Sequence, residues 1–398
     1  MGNFKSRFIA TAGMLLPVTA QAACPAANLF SFTFNTAPAA SLNYGSSYNY
    51  TASNSLGQNM TFTVSWVTNG LTTNSVGGAA LPAINNLIND TTGNNNLMVG
   101  GGFASRTANI TSGVRVVTTN FTFATPVRDF QVQMNDVDFG ANQFRDWIHI
   151  SGTSPAGTYV PSITTPYTNN NGAGPRSDAS STITLGSAVT PYAISSSEGV
   201  GTAVSANTNV TNGTIFASWV QPVTTASVIY GNYPLTTGES VTGVQAVGFE
   251  TVTFCAMPQL TVTKTVAPWS DPVNGTTNPK MIPGSDVNYT ITVTNSNAST
   301  LDGADLPRLV DLLASTLTFY NGDIDDAGPL TTNYEFIPGT SGLSFAPANV
   351  TYSNNGGATY VYAPAAGYDA NVNGLRFAPT GTFNANSSFS IRFRAQIK

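Results

Sequence analysis

Met60-Thr61-Phe62-Thr63-Val64-Ser65-Trp66 places four large apolar side chains on one parity and three hydroxyls on the other. Side chains of an extended chain alternate between faces, so this period of two predicts a strand with one buried face and one wet face. The pattern recurs at Phe130, Val132 and Met134 against Asp129, Gln131 and Gln133. It returns at Val287, Tyr289, Ile291 and Val293, and in the last run at Phe389, Ile391, Phe393, Ala395 and Ile397, opposed by Ser390, Arg392, Arg394 and Gln396. Helical spacing is confined to Leu306, Leu309, Val310 and Leu313, a passage that also suits a strand and stays open. The expected fold class is all-β, built as two β-sandwich domains.

Gly100-Gly101-Gly102, Asn94 to Asn96 and the polar stretch 168–181 separate the periodic runs and read as loops. Two segments share a spacing: Phe123, Pro126, Val127, Phe130, Val132 and Met134, then Trp219, Pro222, Val223, Ala226, Val228 and Tyr230. Proline donates nothing to a ladder, so each predicts a strand, a proline corner and a second strand.

Charged residues are only 8% of the chain, against 41% hydrophobic, and the formal charge is −5. Asn, Thr, Ser and Gly must keep the surface wet, a composition suited to short strands and polar turns. An acidic chain with so few cations is a poor match for phosphate backbones, so nucleic acid is excluded as a partner. Lys5 and Arg7 precede an apolar run from Phe8 to Val18 and then Ala20-Gln21-Ala22. These are the charged, apolar and small-residue parts of an export signal, expected to span 1–22 with cleavage after Ala22. The run is too short to cross a bilayer, and no later stretch is long enough, so no transmembrane segment is expected in the mature chain. The cysteines are Cys24 and Cys255. In an exported chain they read as one disulfide, closing a long loop whose constraint is worth about 5 kcal/mol on a chain-entropy model.

Ala256-Met257-Pro258 follows Cys255 and precedes the fresh strand Leu260 to Val266, which places a boundary between a domain at 23–257 and one at 258–398. In the second, Leu260-Thr-Val-Thr-Lys264, the run from Pro283-Gly284 to Asn295, Val310 to Leu313, Ser353 to Gly357, Gly367-Tyr-Asp369 and the final strand occur in an order that resembles the bacterial surface conserved repeat domain of unknown function eleven. That resemblance implies an immunoglobulin-like sandwich with a spacer or display role and transfers no catalytic residue. Asn135-Asp-Val-Asp138 with Phe144-Arg-Asp146, and Tyr230-Gly-Asn232 before Val247-Gly-Phe249, resemble the jelly-roll-like modules that accompany such repeats. No C-terminal sorting segment of the kind that often follows them is expected from the residues after the final strand.

Asp136, Asp138 and Asp146, with Asn135 and Asn142 nearby, form the sharpest polar constellation. Asp136 and Asp138 share the parity of Phe130, Val132 and Met134, and an uninterrupted strand would bury both unpaired at prohibitive cost. Either the strand ends near Asn135 and the carboxylates cap a loop, or a hard cation such as calcium gathers them. Asp323, Asp325 and Asp326 lie between Asn321-Gly322 and Gly328-Pro329 and read as a solvated turn. Lys264 has the parity of Val262 and Val266, which raises an isopeptide crosslink, but the last strand offers no inward asparagine. Its stem is therefore expected to snorkel at the sheet edge. His149 stands opposite in parity to Ile148 and Ile150, a surface position, and Trp147 shares its face, where the ring could stack on a sugar. No nucleophile elbow, zinc helix, phosphate loop or dinucleotide fingerprint is present, so catalysis is not expected.

These readings give an expectation of a secreted or envelope-associated structural or adhesive protein on the outer surface of a bacterium, without catalysis. Its partners would be envelope components or an extracellular glycan or protein. The alternative is a calcium-dependent carbohydrate-binding module using Asp136, Asp138, Asp146 and Trp147.

Overall fold

A computed structural model describes residues 24–37, 41–88, 93–104, 106–107, 109–140, 144–164, 173–175, 182–183, 192–193, 197–201, 213–233, 244–326 and 330–398. The export signal, Asn142 and most of the stretch 168–181 lie outside them. The protein is all-β: among the described residues helix is limited to short 3-10 turns such as Phe34–Thr36 and Ile110–Ser112.

The organising element is the strand Val116–Asn135. Residues 116–123 pair with Asn59–Asn69 on one side and Val223–Asn232 on the other. Residues 127–135 pair instead with Ile215–Trp219 and Val244–Ala256. The strand therefore leaves one sheet and enters the other around Pro126, and a register irregularity opposite Thr253 to Cys255, with Asp129 at φ 51°, marks the bend. Changing sheets through a bend is how strands make the corners of a sandwich. The proline corner expected here is thus a bend within one strand, whereas its counterpart does break into Ile215–Trp219 and Val223–Asn232.

Between the sheets the predicted alternation holds. Phe62 and Val64 are fully buried, and Phe130, Val132 and Met134 show no exposure. Their rings meet those of neighbouring strands: Phe123 lies 4.9 Å from Phe254 and 5.4 Å from Phe130, and Phe121 lies 5.5 Å from Phe249, all edge-on or tilted. Such pairs add about 0.5–1.5 kcal/mol each beyond the area they bury.

Residues 260–397 form separate sheets that share no strand with the first set. Leu260–Ser270, Asp286–Asn295 and Ser387–Ile397 lie side by side, with Val293↔Phe389 and Ile291↔Ile391 in register. Phe389, Ile391, Phe393 and Ala395 face Leu375, Phe377 and Phe383 in a core of their own. The ambiguous passage resolves as the 3-10 turn Gly303–Asp305 and the strand Leu309–Leu312.

Polar contacts join the two sets at the base of the first. The Asn28 amide donates to the Thr300 carbonyl at 2.9 Å, and its oxygen accepts from Thr300 N at 2.7 Å. Asn297 donates to the Met257 carbonyl at 2.6 Å. Beside this joint the sulfurs of Cys24 and Cys255 stand 2.15 Å apart, with Cα atoms 5.8 Å apart, at disulfide distance. The link closes a sequence separation of 231 residues. Replacing both cysteines by alanine is expected to lower unfolding stability by about 2–5 kcal/mol. Urea titration followed by tryptophan fluorescence measures this, with the midpoint moving down and the slope steepening as the uncrosslinked denatured chain exposes more surface.

Candidate functional site

The strand Val116–Asn135 stops at Asn135, because Asp136 adopts φ 67° and turns the chain. Aspartate is one of the few residues that tolerate this left-handed region. Val137 N then donates to Gly213 O at 3.0 Å. Asp138 and Asp146 lock together by an exchange of bonds: Asp146 N donates to Asp138 O at 2.9 Å, and Asp138 N donates to Asp146 Oδ2 at 2.9 Å. The other oxygen of Asp146 accepts from the Tyr230 hydroxyl at 2.6 Å. Both carboxylates are buried, at 2% and 1% exposure.

The two sequence fragments that carried the jelly-roll-like resemblance meet here. Asp146 and Asn232 are partners in register, and Asn232 Oδ1 accepts from Arg145 N at 3.1 Å and from the Arg106 guanidinium. Arg145 in turn donates to Gly201 O. Gly201 is pressed so closely on the turn that an added Cβ would lie 1.9 Å from Asp138 O, so no other residue fits there without moving the chain.

Burial, then the charge of Asp138, pushes the Asp136 carboxyl well above the ordinary aspartate range. The same two causes, in the same order, raise Asp146. Tyr230 is also held protonated, by burial first and by Asp146 next. The acid end of the sandwich opens on a pocket of about 290 Å³ whose lining includes Asp136, Asp138, Gln245, Val76, Ile88 and Phe144.

Three sequence expectations need correction. One ligand atom from each of Asp136, Asp138 and Asp146 does not come within chelating distance of the other two. Among the described residues the one such trio within 4.8 Å is Cys24, Asp129 and Cys255, whose sulfurs are joined to each other. Asp146 is instead occupied by its hydrogen bonds from Tyr230 and Asp138. Trp147 is not an exposed platform: it is 1% exposed, packs 5.1 Å from Tyr233 and donates from Nε1 to Glu198 Oε2 at 3.1 Å. Its outer face is covered by Ile110, Val116 and Val200, a second layer that strand parity does not reveal. His149, on the same face, is half-buried opposite Glu198, and burial lowers its pKa, opposed by Glu198.

The turn at Asp323 to Asp326 is held from outside itself. Asp326 accepts from Arg394 at 2.8 Å and from Trp269 Nε1 at 3.1 Å, while the Arg394 guanidinium lies over the rings of Trp269 and Tyr320 at 4.5 and 4.8 Å. Arg394, expected on the wet face of the last strand, is 2% exposed. Lys264 reaches Asp311 at 2.6 Å across the seam between sheets, with Nζ 4.3 Å above the Tyr289 ring. Sequence reasoning also missed a polar knot on the strand Val244–Ala256. The buried Glu250 accepts from Gln133 and Asn135 at 2.9 Å each and from Asn94 at 3.0 Å, and Asn135 also donates to Asn96.

No family model and no curated protein matches this chain. Among solved structures, a candidate membrane anchored protein from Corynebacterium diphtheriae aligns over 88% of this chain and 89% of its own, at 7% identity and a TM-score of 0.17. A likeness at that level carries no argument about fold or function.

Because Asp136 and Asp146 hold protons in the folded chain that they release when unfolded, the folded state binds more protons between the ordinary value of 3.8 and their raised values. Stability therefore falls as pH rises through that window. Without added cations, acidification from about pH 7 to pH 5 is expected to raise the melting temperature of the wild type more than that of Asp136→Asn, by a margin on the order of a few degrees. Asparagine tolerates the same backbone conformation, so scanning calorimetry of the pair isolates the proton.

Proposed function

We propose that the protein is an exported, non-catalytic display protein of the bacterial cell envelope, in which an immunoglobulin-like domain at 258–398 presents a jelly-roll-like domain at 23–257. The observation that carries this reading is the pairing of Cys24 with Cys255. Such a bond persists in oxidising compartments, and the leader-like residues before it supply the route out of the cytoplasm. The two-domain division is supported by sheets that share no strand and by two cores, the first of which takes only Ala298 from 258–398. The display role is supported by the Asn28–Thr300 and Asn297–Met257 contacts, which brace one unit on the other as a presenting stalk requires.

The partners on this reading are envelope components or an extracellular macromolecule. Sugar stacking on Trp147 has no support, since the ring is enclosed. Of the carboxylates, Glu198 accepts from Trp147, Glu250 from three amides and Asp146 from Tyr230.

Expression in a bacterial host, followed by fractionation and N-terminal sequencing, tests the reading. The expected product starts at Ala23, lies outside the inner membrane and has no free thiol. A panel of glycosidase, esterase and peptidase substrates is expected to show no turnover above buffer. A cytoplasmic chain with both thiols free, or turnover lost in Asp136→Asn or Asp146→Asn, would contradict it.

A further inference from the structure

The open acid end of the first sandwich holds more acceptor oxygen than the described residues satisfy. Oδ1 of Asp136, a half-buried residue, is itself buried without a hydrogen-bond partner among the described residues. Gln245, 2% exposed, lines the same pocket. Its Nε2 donates to Gly231 O at 3.4 Å, which fixes the amide orientation, and its Oε1 is likewise buried and without a described partner. Leaving two such acceptors unsatisfied costs about 1–3 kcal/mol each, which a native fold sustains only where something else supplies the missing partner.

The chemistry of that partner follows from the lining. Asp136 and Asp138 bring carboxylates and Gln245 a neutral carbonyl, while Val76, Ile88 and Phe144 offer no side-chain donor. An all-oxygen set with two acids and no cation in the lining is the coordination of a hard divalent ion. The irregular arrangement suits calcium, which accepts six to eight oxygens in flexible geometry, better than magnesium, which demands a near-ideal octahedron. The pocket, about 290 Å³, has room for the ion and several retained waters at roughly 30 Å³ each.

We infer that this pocket is a calcium site in which Asp136, Asp138 and Gln245 supply protein oxygens and Asp146 acts as a positioning residue. Asp146 holds the Asp138 backbone through its Oδ2 and is itself held by Tyr230. The site differs from the three-aspartate grouping that the sequence suggested, since Gln245 takes the place of Asp146. It ties the end of the strand Val116–Asn135 to the start of its neighbour Val244–Ala256, so the ion would brace two paired strands at the end opposite the disulfide-bearing pairs.

Calorimetric titration of the oxidised, metal-stripped full chain with calcium chloride tests this. The expected result is one calcium per chain with a dissociation constant in the range of about 10⁻⁴–10⁻³ M typical of extracellular modules, and magnesium at least about tenfold weaker. Asp136→Asn and Gln245→Leu are each expected to weaken calcium at least about tenfold, while Asp323→Asn in the distant turn leaves it unchanged. Near-UV circular dichroism of each variant reports folding separately. If Gln245→Leu does not fold, Gln245→Glu decides, because an added carboxylate should tighten calcium about tenfold. No heat of binding at about 10 mM calcium, unaltered affinity in Asp136→Asn, or no tightening in Gln245→Glu overturns the inference. So does binding of methylammonium in place of calcium. None of these outcomes bears on export or display, which rest on the cystine and the leader.

Discussion

One strand that belongs to two sheets is the constraint from which the rest of the first domain follows. Residues 116–135 alternate buried and outward side chains in each half, with the phase shifted by one residue where the backbone bends after Pro126. Odd-numbered Phe121 and Phe123 before the bend and even-numbered Phe130, Val132 and Met134 after it face one interior, because the irregularity around Asp129 shifts the period by one residue. A slip by one residue on either side would turn polar Gln131 and Gln133 inward and expose the rings. The neighbours Asn59–Asn69, Val223–Asn232 and Val244–Ala256 are then assigned to sheets by which half of this strand they pair with.

The same strand sets the position of the acids. Its ladder ends at Asn135, which turns its side chain into the Glu250 knot, and the left-handed Asp136 begins the turn that buries Asp138 beside Asp146. Two polar clusters thus flank one strand end with different solutions to buried charge. Glu250 is met by amide donors from three residues. The aspartates raise one another's proton affinity, because burial and like charge both penalise ionisation. The first arrangement is closed, and the second leaves acceptors facing a pocket.

The core was legible in the sequence wherever a strand had one wet face, since alternation then states which side chains are inward. Met60 to Trp66, Phe130 to Met134 and Phe389 to Ala395 were read correctly for that reason. Trp147 and Arg394 were not, because each lies on an outer face that a further layer covers: Tyr233, Ile110 and Val200 over the one, Trp269 and Tyr320 over the other. Parity has two values and cannot report a third layer. The Asp136 to Asp146 turn was visible as a parity conflict, two carboxylates predicted into a core. Gln245 carried no such signal, since its role depends on pairing with Gly101 and on reaching the Gly231 carbonyl, contacts distant in sequence.

Native-state hydrogen exchange along residues 116–135, resolved by peptide or amide, tests the central constraint most directly. If one strand carries both sheets, amides on the two sides of Pro126 should open together, in a single cooperative step with the highest protection in the chain. Protected exchange in 116–123 beside rapid, independent exchange in 127–135 would show two separate strands and contradict the account.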